Sequence, residues 1–318
     1  GFAEVVRHLP FIRRVMNRLQ QWVEEEQPDA VILIDYPGFN LRFARRMKKR
    51  DIPVYYYISP QVWAWGKGRL KKMHKLVDTM FVIFPFEEEL YREHGVNARF
   101  VGHPLVEEVE TVEPKESFFQ SVGLDPEVTT VGLLPGSRRQ EIERHLEEML
   151  DATDIIRSRY DKPVQFCLAI APDRSLEEFD LSAARDITLI QERTYEVMQH
   201  SNVAIVSSGS ATLELAYFGT PMVIIYKTST LTWWLGNLLV DMPYIGLANI
   251  VAEKKVLPEL LQHDASGSNI AEETLHYLRE SEYYQSVRSE LQHIRDKLGE
   301  PGAGHRVASA ICEQLYGS

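Results

Sequence analysis

The sequence is poor in the features that mark several large classes of protein. Its 318 residues include only two cysteines, Cys167 and Cys312, and a pair so far apart does not make a disulfide framework. No run approaches the roughly 18 to 20 apolar residues that a membrane-spanning helix needs, and no signal-peptide pattern is present. We therefore expect a chain that works in a reducing cytosol.

Several catalytic signatures are also missing. The ten histidines show no HExxH spacing or other paired-ligand spacing, and two cysteines cannot form a zinc knuckle. The sequence contains no GxSxG nucleophile elbow and no Walker A lysine. We therefore predict no metal. The net charge of −11 also argues against nucleic acid as a partner.

The charge is unevenly placed along the chain. Residues 1–100 hold 17 Lys and Arg against 12 Asp and Glu, whereas residues 101–318 hold 18 against 34. A basic first part in an acidic protein indicates an anionic partner for that part, such as a phospholipid surface or a phosphorylated substrate. A solvated basic face without a partner is the alternative.

Short apolar runs alternate with helical patterns through most of the chain. Continuous Val, Ile and Leu runs indicate parallel strands buried on both faces. The nine predicted strands lie at 30–35, 54–59, 79–84, 98–102, 130–136, 164–172, 187–191, 203–208 and 222–227. Repeated βα units predict an α/β fold of two Rossmann-like domains facing a cleft.

A polar seam containing Pro114 divides the βα units into two groups. We predict a first domain at 1–112, a second domain at 113–298, and a helix at 299–318. That last helix is expected to pack on the first domain or on a partner. Residues 1–27 have a helical pattern, so the βα unit that usually opens such a domain is absent from this chain, which begins at Gly1.

The segment TVGLLPGSRRQEIERHL begins at residue 130 and has the pattern of an anion site. A buried strand ends in Gly136, Ser137 and Arg138, and a long helix follows at once. Free backbone N–H groups and the helix dipole favour a phosphate at such a turn, and the Arg138 guanidinium adds a bidentate hydrogen-bond donor. The alternative is that Ser137 only caps the helix.

The segment VAIVSSGSATLELAYFG, from residue 203, repeats that arrangement. Small residues let a ligand approach the backbone, and Glu214 can accept hydrogen bonds from sugar hydroxyls, unless it is only a capping acid. Two such loops at strand carboxyl ends predict a nucleotide-diphosphate site. The predicted binding residues of this segment are Ser208, Gly209, Ser210, Thr212 and Glu214.

Asp35 follows a buried strand in VILIDYPGFN. A carboxylate at the carboxyl end of a strand is well placed to act as a general base. The alternative is an aspartate that only hydrogen-bonds to the local backbone. The following residues, Pro37 and Gly38, predict a type II turn.

Two tryptophans and a basic run follow the second strand, in YYYISPQVWAWGKGRLKKM. Aromatic rings beside cations are typical of a surface that lies against anionic lipid, or of a pocket for a lipid with a phosphate. The alternative is that the tryptophans belong to the core. The predicted acceptor and membrane residues are Gln61, Trp63, Trp65, Lys67, Arg69, Lys71 and Lys72. An aromatic cluster at 231–239 adds apolar surface.

Several stretches in this order resemble the lipid-A-disaccharide synthase family, a GT-B family of glycosyltransferases in Gram-negative bacteria. They are IDYPGFN, YYISPQVWAW, FPFEEELY, FVGHPL, LLPGSR, SSGSATLE and the LANI stretch around Asn249. The resemblance implies transfer of 2,3-diacylglucosamine from its UDP derivative to 2,3-diacylglucosamine 1-phosphate (lipid X). It also implies no metal or other cofactor, and a peripheral position on the inner face of the cytoplasmic membrane.

The same resemblance assigns roles to the domains and to individual residues. It implies that the domain at 1–112 faces the acceptor and the membrane and that the domain at 113–298 binds the UDP-sugar. It implies that Asp35 is the base, and that Arg138 and Asn249 contact the nucleotide sugar together with the SSGSATLE loop. It leaves open a homodimer. The family's opening Gly-rich loop, of the type GE-x-SGD, is absent from this sequence.

Other functions fit the same two-domain pattern. A metal-free UDP-sugar 2-epimerase would share the UDP loops but would need no acceptor. A UDP-sugar-binding module would bind without releasing UDP. A glycosyltransferase of the peptidoglycan pathway shares the GT-B fold, but the ISPQVWAW and IDYPGFN stretches argue against it.

Overall fold

The structure is a computed structural model. It describes residues 2–63, 68, 70–109, 112–170, 178–179, 184, 186–229 and 243–317, without the side chains of 2–9 and 108. The chain divides into two compact units. Unit 1 consists of Gly1–Pro104 and Leu298–Ser318, and unit 2 consists of Leu105–Lys297.

Unit 1 is built on a four-stranded parallel sheet with the order β1-β2-β3-β4. The strands are β1 (Val31–Ile34), β2 (Val54–Tyr57), β3 (Thr79–Val82) and β4 (Ala98–Phe100). Its helices are α1 (Phe2–Glu26), α2 (Pro37–Lys48), α3 (Leu70–Met73), α4 (Pro85–Glu93) and, near the end of the chain, α13 (Ala303–Tyr316). In each of the three strand pairs, consecutive residues of one strand pair with consecutive residues of the next, without a bulge.

Helices pack on both faces of the inner strands β2 and β3, which explains why these strands are apolar without alternation. The edge strand β1 differs, because Ile32 and Ile34 are exposed. The larger core cluster includes Met16 of α1, Met47 of α2 and Tyr56 of β2. The other face packs Tyr55 and Phe81 against Val307, Ala310 and Ile311 of α13. The last helix of the chain is therefore part of the unit 1 core.

Unit 2 holds a six-stranded parallel sheet with the order β10-β9-β8-β5-β6-β7. Its strands are β5 (Thr129–Leu134), β6 (Val164–Ile170), β7 (Thr188–Gln191), β8 (Val203–Ser207), β9 (Met222–Tyr226) and β10 (Glu259–Leu261). Its helices are α5 (Leu105–Glu108), α6 (Lys115–Val122), α7 (Arg139–Arg159), α8 (Thr194–His200), α9 (Ala211–Phe218), α10 (Leu247–Ala252), α11 (Gly267–Arg279) and α12 (Ser281–Lys297).

The strand order of unit 2 reverses between β5 and β8. The chain runs outward from β5 through β6 to β7, then returns to β8 and runs outward on the other side. In open α/β sheets a crevice forms at such a switch point, outside the carboxyl ends of the strands, because the two connections leave in opposite directions.

All nine predicted strands are present, and the α/β class with parallel sheets is confirmed. The tenth strand, β10, was not predicted. It has three half-buried residues, begins with Glu259 and lies at the sheet edge beside β9. Its residues gain strand structure from pairing with a neighbour far away in the sequence, so a local apolar pattern does not reveal it.

The predicted type II turn at Pro37 and Gly38 is wrong. Pro37 is the first residue of α2, and Tyr36, with φ 41° and ψ 61°, precedes the helix in the left-handed region. Proline is favoured at the first helical position, where its missing N–H removes no hydrogen bond. The change of chain direction therefore comes from Asp35 and Tyr36, both of which have positive φ.

Candidate active site

A cavity of about 510 Å³ lies at the switch point of unit 2. It is lined by the residues that follow β5, β7 and β8, together with side chains from the strands beneath them. The lining residues are Leu134, Gly136, Ser137, Glu141, Ala169, Glu192, Thr194, Tyr195, Glu196, Met198, Ser207, Ser208, Gly209, Ser210, Ala211 and Glu214. The two predicted small-residue loops therefore meet in one cavity, although they are about 70 residues apart.

The first wall is the turn between β5 and α7. Gly136 has φ 122°, and a Cβ there would lie 3.1 Å from the Glu141 carboxylate and 3.4 Å from the Ser207 hydroxyl. Only glycine fits this position comfortably. Arg138, not Ser137, is the residue that precedes α7, so the alternative role of Ser137 as the cap is not observed. The Arg138 side chain is 82% exposed and pairs with Glu141 at 2.9 Å.

Buried His145 fixes this wall from behind. Its Nδ1 donates to the Pro135 carbonyl at 2.9 Å, and its Nε2 accepts from the Lys227 N–H at 2.9 Å. Burial lowers the pKa of His145, which keeps the ring neutral so that one nitrogen can donate while the other accepts. The histidine thereby joins the turn after β5 to the end of β9.

The second wall is the turn between β8 and α9. The Ser208 hydroxyl donates to the Ile245 carbonyl at 3.1 Å, and the Thr212 hydroxyl donates to the Gly209 carbonyl at 2.8 Å. Gly209 and Ser210 are exposed. Glu214 is the fourth residue of α9, one position beyond that of a capping-box acid, and Ser210 makes no side-chain cap hydrogen bond.

The third wall was not predicted from the sequence. It comes from the loop between β7 and α8, where Glu192 has φ 62° and Thr194 and Tyr195 line the cavity. The sequence signal was present, because ITLIQ is followed directly by a helical segment. It lacks glycine and serine, however, so composition did not mark it as a ligand loop.

Two buried hydroxyls in the cavity have no hydrogen-bond partner. They are Ser207 Oγ and Thr194 Oγ1, and they account for two of the three such side-chain atoms in the part of the chain that the structure describes. Buried polar atoms are nearly always satisfied, so an unpaired hydroxyl in a cavity wall indicates a partner in a ligand. Both lie among the lining residues of this cavity.

Asn249 lies outside the cavity lining and is fully buried. Its amide donates to the Leu257 carbonyl and to Glu259, and its oxygen accepts from the N–H groups of Val256 and Leu257. These contacts occupy its hydrogen-bonding capacity. Glu259 also accepts from the N–H groups of Ile245 and Gly246. In this structure Asn249 supports the backbone segment that receives the Ser208 hydroxyl.

Asp35 is exposed at the carboxyl end of β1 in unit 1. Its N–H continues the strand ladder to the Tyr57 carbonyl at 3.1 Å. Its own carbonyl accepts from the Tyr56 hydroxyl at 2.5 Å and from the Asn40 amide at 2.7 Å. The carboxylate is therefore exposed to solvent, while hydrogen bonds of the Asp35 N–H and of the Asp35 carbonyl hold its backbone in place.

Trp63 is buried in unit 1 and is 7% exposed. Its indole N–H donates to the Glu87 carboxylate at 2.9 Å, and its ring packs edge-on against Phe86. The expectation that Trp63 offers its ring to a lipid surface does not hold in this structure, because the side chain is buried and both its N–H and its ring have internal partners. The alternative, a core tryptophan, describes Trp63.

Glu87 also makes hydrogen bonds to the segments that follow β2 and β3. It accepts from the Ser59 hydroxyl at 2.7 Å and from the Phe84 N–H at 3.2 Å. The carboxyl is 1% exposed, and burial raises its pKa to about 7 although these hydrogen bonds favour the ionised form. A single buried acid therefore joins the segments that follow β2 and β3.

The remaining predicted residues of this region divide into two groups. Gln61, Lys71 and Lys72 are exposed. Trp65, Lys67 and Arg69 lie outside the described residues, as does the aromatic cluster at 231–239. Among the residues that are described, no group of three His, Cys, Asp or Glu is arranged to hold a metal ion.

The comparisons with known proteins give a consistent result. A model of the family described as lipid-A-disaccharide synthetase matches residues 1–310. The chain belongs to this family.

A lipid-A-disaccharide synthase from Syntrophus aciditrophicus (strain SB) is 48% identical over 314 residues, which are 97% of this chain and 81% of that protein. The predicted glycosyltransferase function is thereby confirmed, and the epimerase and binding-module alternatives are not favoured.

Solved structures show the same fold at low identity. A UDP-GlcNAc 2-epimerase from Neisseria meningitidis bound to UDP-GlcNAc has a TM-score of 0.65 at 13% identity, covering 95% of this chain and 81% of its own. CalG4, the calicheamicin glycosyltransferase, has a TM-score of 0.62 at 15% identity, covering 99% and 84%. These likenesses confirm the predicted GT-B class of this family member.

The raised pKa of Glu87 predicts a pH dependence of stability. The unfolded carboxyl ionises near 4.5 and the folded one near 7, so the folded state binds the extra proton between these values. The contribution of Glu87 to the free energy of unfolding is therefore fully present below about pH 4.5. It falls by about 3 kcal/mol as the pH rises through 7. Urea unfolding from pH 4 to 8, followed by tryptophan fluorescence, measures it.

The comparison variant is Glu87→Gln, which cannot ionise and has nearly the same shape. The unfolding free energy of the native protein minus that of Glu87→Gln should fall by about 3 kcal/mol between pH 4 and pH 8, because only the native side chain ionises. Glu88→Gln, which changes a partly exposed acid of the same helix that pairs with Arg92, is the control for removing a carboxyl from this helix. Parallel curves for the native protein and Glu87→Gln would contradict the prediction.

Proposed function

We propose that this family member transfers 2,3-diacylglucosamine from UDP-2,3-diacylglucosamine to lipid X, releasing UDP and the β-1,6-linked disaccharide 1-phosphate. The observation that carries the proposal is the switch-point cavity of unit 2, with its two unpaired buried hydroxyls. Membership of the family supplies the identity of the sugar and the acceptor.

The donor diphosphate would lie against the turns after β5 and β8. The helices α7 and α9 begin beside this cavity without a side-chain cap on their first N–H groups, and Arg138, which precedes α7, is exposed and pairs with Glu141 of the lining. The UDP leaving group gains negative charge as its bond to the sugar breaks. Helix N-termini and a guanidinium, already oriented before the reaction, stabilise that charge without reorganisation.

Within the same cavity, the proposed roles of the remaining residues follow from their chemistry. Ser207 and Thr194 have unpaired hydroxyls that can bind the nucleotide or the sugar. Glu214 is an acceptor suited to two sugar hydroxyls, and Gly209 and Ser210 let the ligand approach the backbone. Asn249 acts indirectly in this proposal, by holding the Ile245 segment against Ser208.

Asp35 is proposed as the general base. In an inverting transfer the acceptor's 6-hydroxyl attacks the anomeric carbon from the face opposite UDP, and its proton passes to a carboxylate. Asp35 is exposed at a strand's carboxyl end, and its backbone carbonyl accepts hydrogen bonds from the Asn40 and Tyr56 side chains. General-base catalysis of this kind typically contributes 10²- to 10⁴-fold.

We further propose that unit 1 lies against the inner face of the cytoplasmic membrane, where diacylated substrates reside. With Trp63 buried, the supporting surface is α1. Phe11 and Trp22 are each 57% exposed, and the helical repeat puts them on one face with exposed Arg18. Exposed aromatic rings beside cations favour the headgroup region of an anionic bilayer. No helix among the described residues could cross a bilayer.

The reaction is tested by UDP release in mixed micelles containing EDTA. We expect release from UDP-2,3-diacylglucosamine only when lipid X is added, together with a disaccharide 1-phosphate identified by mass. Acceptor dependence separates the transferase from an epimerase, and turnover separates it from a binding module. Release without acceptor, or no release, would refute the proposed reaction.

Asp35→Asn should lower kcat by about 10²- to 10⁴-fold while the affinity for UDP stays unchanged, since the amide cannot accept the proton. The matched control is Asp51→Asn, another exposed aspartate with positive φ in unit 1, at the amino end of β2. The measurements are initial rates and UDP titration calorimetry. Near-normal turnover of Asp35→Asn would show that another group is the base.

Phe11→Ala combined with Trp22→Ala should weaken sedimentation with vesicles of anionic phospholipid by about tenfold or more, because burial of each large ring contributes roughly 1.5–3 kcal/mol. Leu189→Ala, which removes an exposed apolar side chain of unit 2, serves as the control. If the double variant binds the vesicles like the unaltered protein, α1 is not the contact surface.

A further inference from the structure

Asp35 and Tyr36 have an unusual backbone conformation. Their φ angles are 46° and 41°, so two successive residues with side chains occupy the left-handed region. Aspartate tolerates this region better than most residues, but a bulky tyrosine there is an outlier. Such a conformation persists only where surrounding contacts favour it, and it clusters at functional sites.

The contacts that favour it converge on one carbonyl. The Asp35 carbonyl accepts from the Tyr56 hydroxyl at 2.5 Å and from the Asn40 amide at 2.7 Å. The same Asn40 amide donates to the Ile34 carbonyl at 2.9 Å. These three hydrogen bonds hold two consecutive peptide units in the rotated orientation that the positive φ angles require.

Both donor side chains are shielded from water, so water does not compete for these hydrogen bonds. Tyr56 is fully buried in the core of unit 1, and Asn40 is 9% exposed on α2. Burial raises the pKa of Tyr56, so its hydroxyl remains a donor at all ordinary pH values. The α2 helix is tied to the same place, because the N–H groups of Phe39 and Asn40 donate to the Tyr36 carbonyl.

We propose that Asn40 and Tyr56 are positioning residues, which hold the backbone of Asp35 in the left-handed conformation and so aim its carboxylate at the acceptor hydroxyl. The proposal rests on the proposed role of Asp35 as the base. Neither residue touches the carboxylate through the hydrogen bonds described, so each acts through the main chain.

The proposal explains the sequence of this turn. A glycine at position 36 would adopt positive φ without strain, yet the chain has tyrosine there and supplies two buried donors instead. The donors are needed because a tyrosine does not keep this conformation by itself, and a general base needs a defined orientation, since proton transfer requires hydrogen-bond geometry.

The test is Tyr56→Phe, which removes one hydroxyl and leaves the ring in the core. We expect kcat to fall about tenfold or more and KM for the UDP-sugar to stay within twofold, with rates normalised to sites that bind UDP. Adding Tyr36→Gly to Tyr56→Phe should restore kcat to within about threefold of the native rate. The glycine removes part of the strain that the hydroxyl otherwise opposes.

The matched control is Tyr277→Phe in unit 2, which also removes a buried hydroxyl that donates to a backbone carbonyl, that of Met222. It should lower the melting temperature without changing kcat. If Tyr56→Phe does not fold, Asn40→Ser leaves the aromatic core intact and is expected to show the same loss of kcat and the same rescue.

The outcomes separate the two proposals. The positioning role alone would be overturned by either of two results. One is that Tyr56→Phe and Asn40→Ser both keep a kcat within twofold of the native value; the other is a loss of kcat that Tyr36→Gly fails to restore. If Asp35→Asn retains turnover, Asp35 is not the base and both proposals fail. Loss of kcat in the two single variants with rescue by Tyr36→Gly would support the positioning role.

Discussion

Parallel strand pairing is the constraint on which the two units depend. Every strand pair in the described sheets is parallel, so each connection must cross back over a face of the sheet, and all carboxyl ends lie at one edge. That edge gathers turns from distant parts of the sequence. In unit 2 it gathers three loops around the cavity, and in unit 1 it brings Asp35 beside the segments after β2 and β3.

Buried polar side chains then fix the turns that the sheet has gathered. His145 joins the turn after β5 to the end of β9, Asn249 and Glu259 hold the segment behind Ser208, and Glu87 ties Ser59 and Trp63 to α4. Each of these groups is satisfied, which avoids the free-energy cost of an unpaired buried polar atom. Three buried side-chain atoms among the described residues are unpaired, and two of them, Ser207 Oγ and Thr194 Oγ1, lie in the cavity wall, whereas the third, Gln262 Nε2, does not. The site is thus recognisable as a place where the internal hydrogen bonding is incomplete.

The distinction between side chains that support the site and side chains that contact a ligand explains two differences between the sequence predictions and the structure. Trp63 and Asn249 stand in motifs typical of the family, and motifs of that kind attract assignments of direct contact with a ligand. In the structure both side chains are buried and bonded to the protein itself. A residue can belong to a family's signature because it shapes the site from behind, and a one-dimensional pattern does not distinguish this role from contact.

The sequence by itself determined the α/β class, nine of the ten strands found in the described residues, the long helices and the two small-residue turns, because these follow from local apolar patterns and local turn chemistry. It did not determine β10, the loop after β7, the start of α2 at Pro37, or the burial of Trp63. The strand β10, the loop after β7 and the burial of Trp63 depend on partners far away along the chain: a neighbouring strand, the switch point, and the carboxylate of Glu87. The start of α2 is instead a local feature, favoured by proline at the first helical position. The tertiary structure alone also decided that Asp35 has a left-handed backbone, because the side chains that hold it there come from a second strand and a helix.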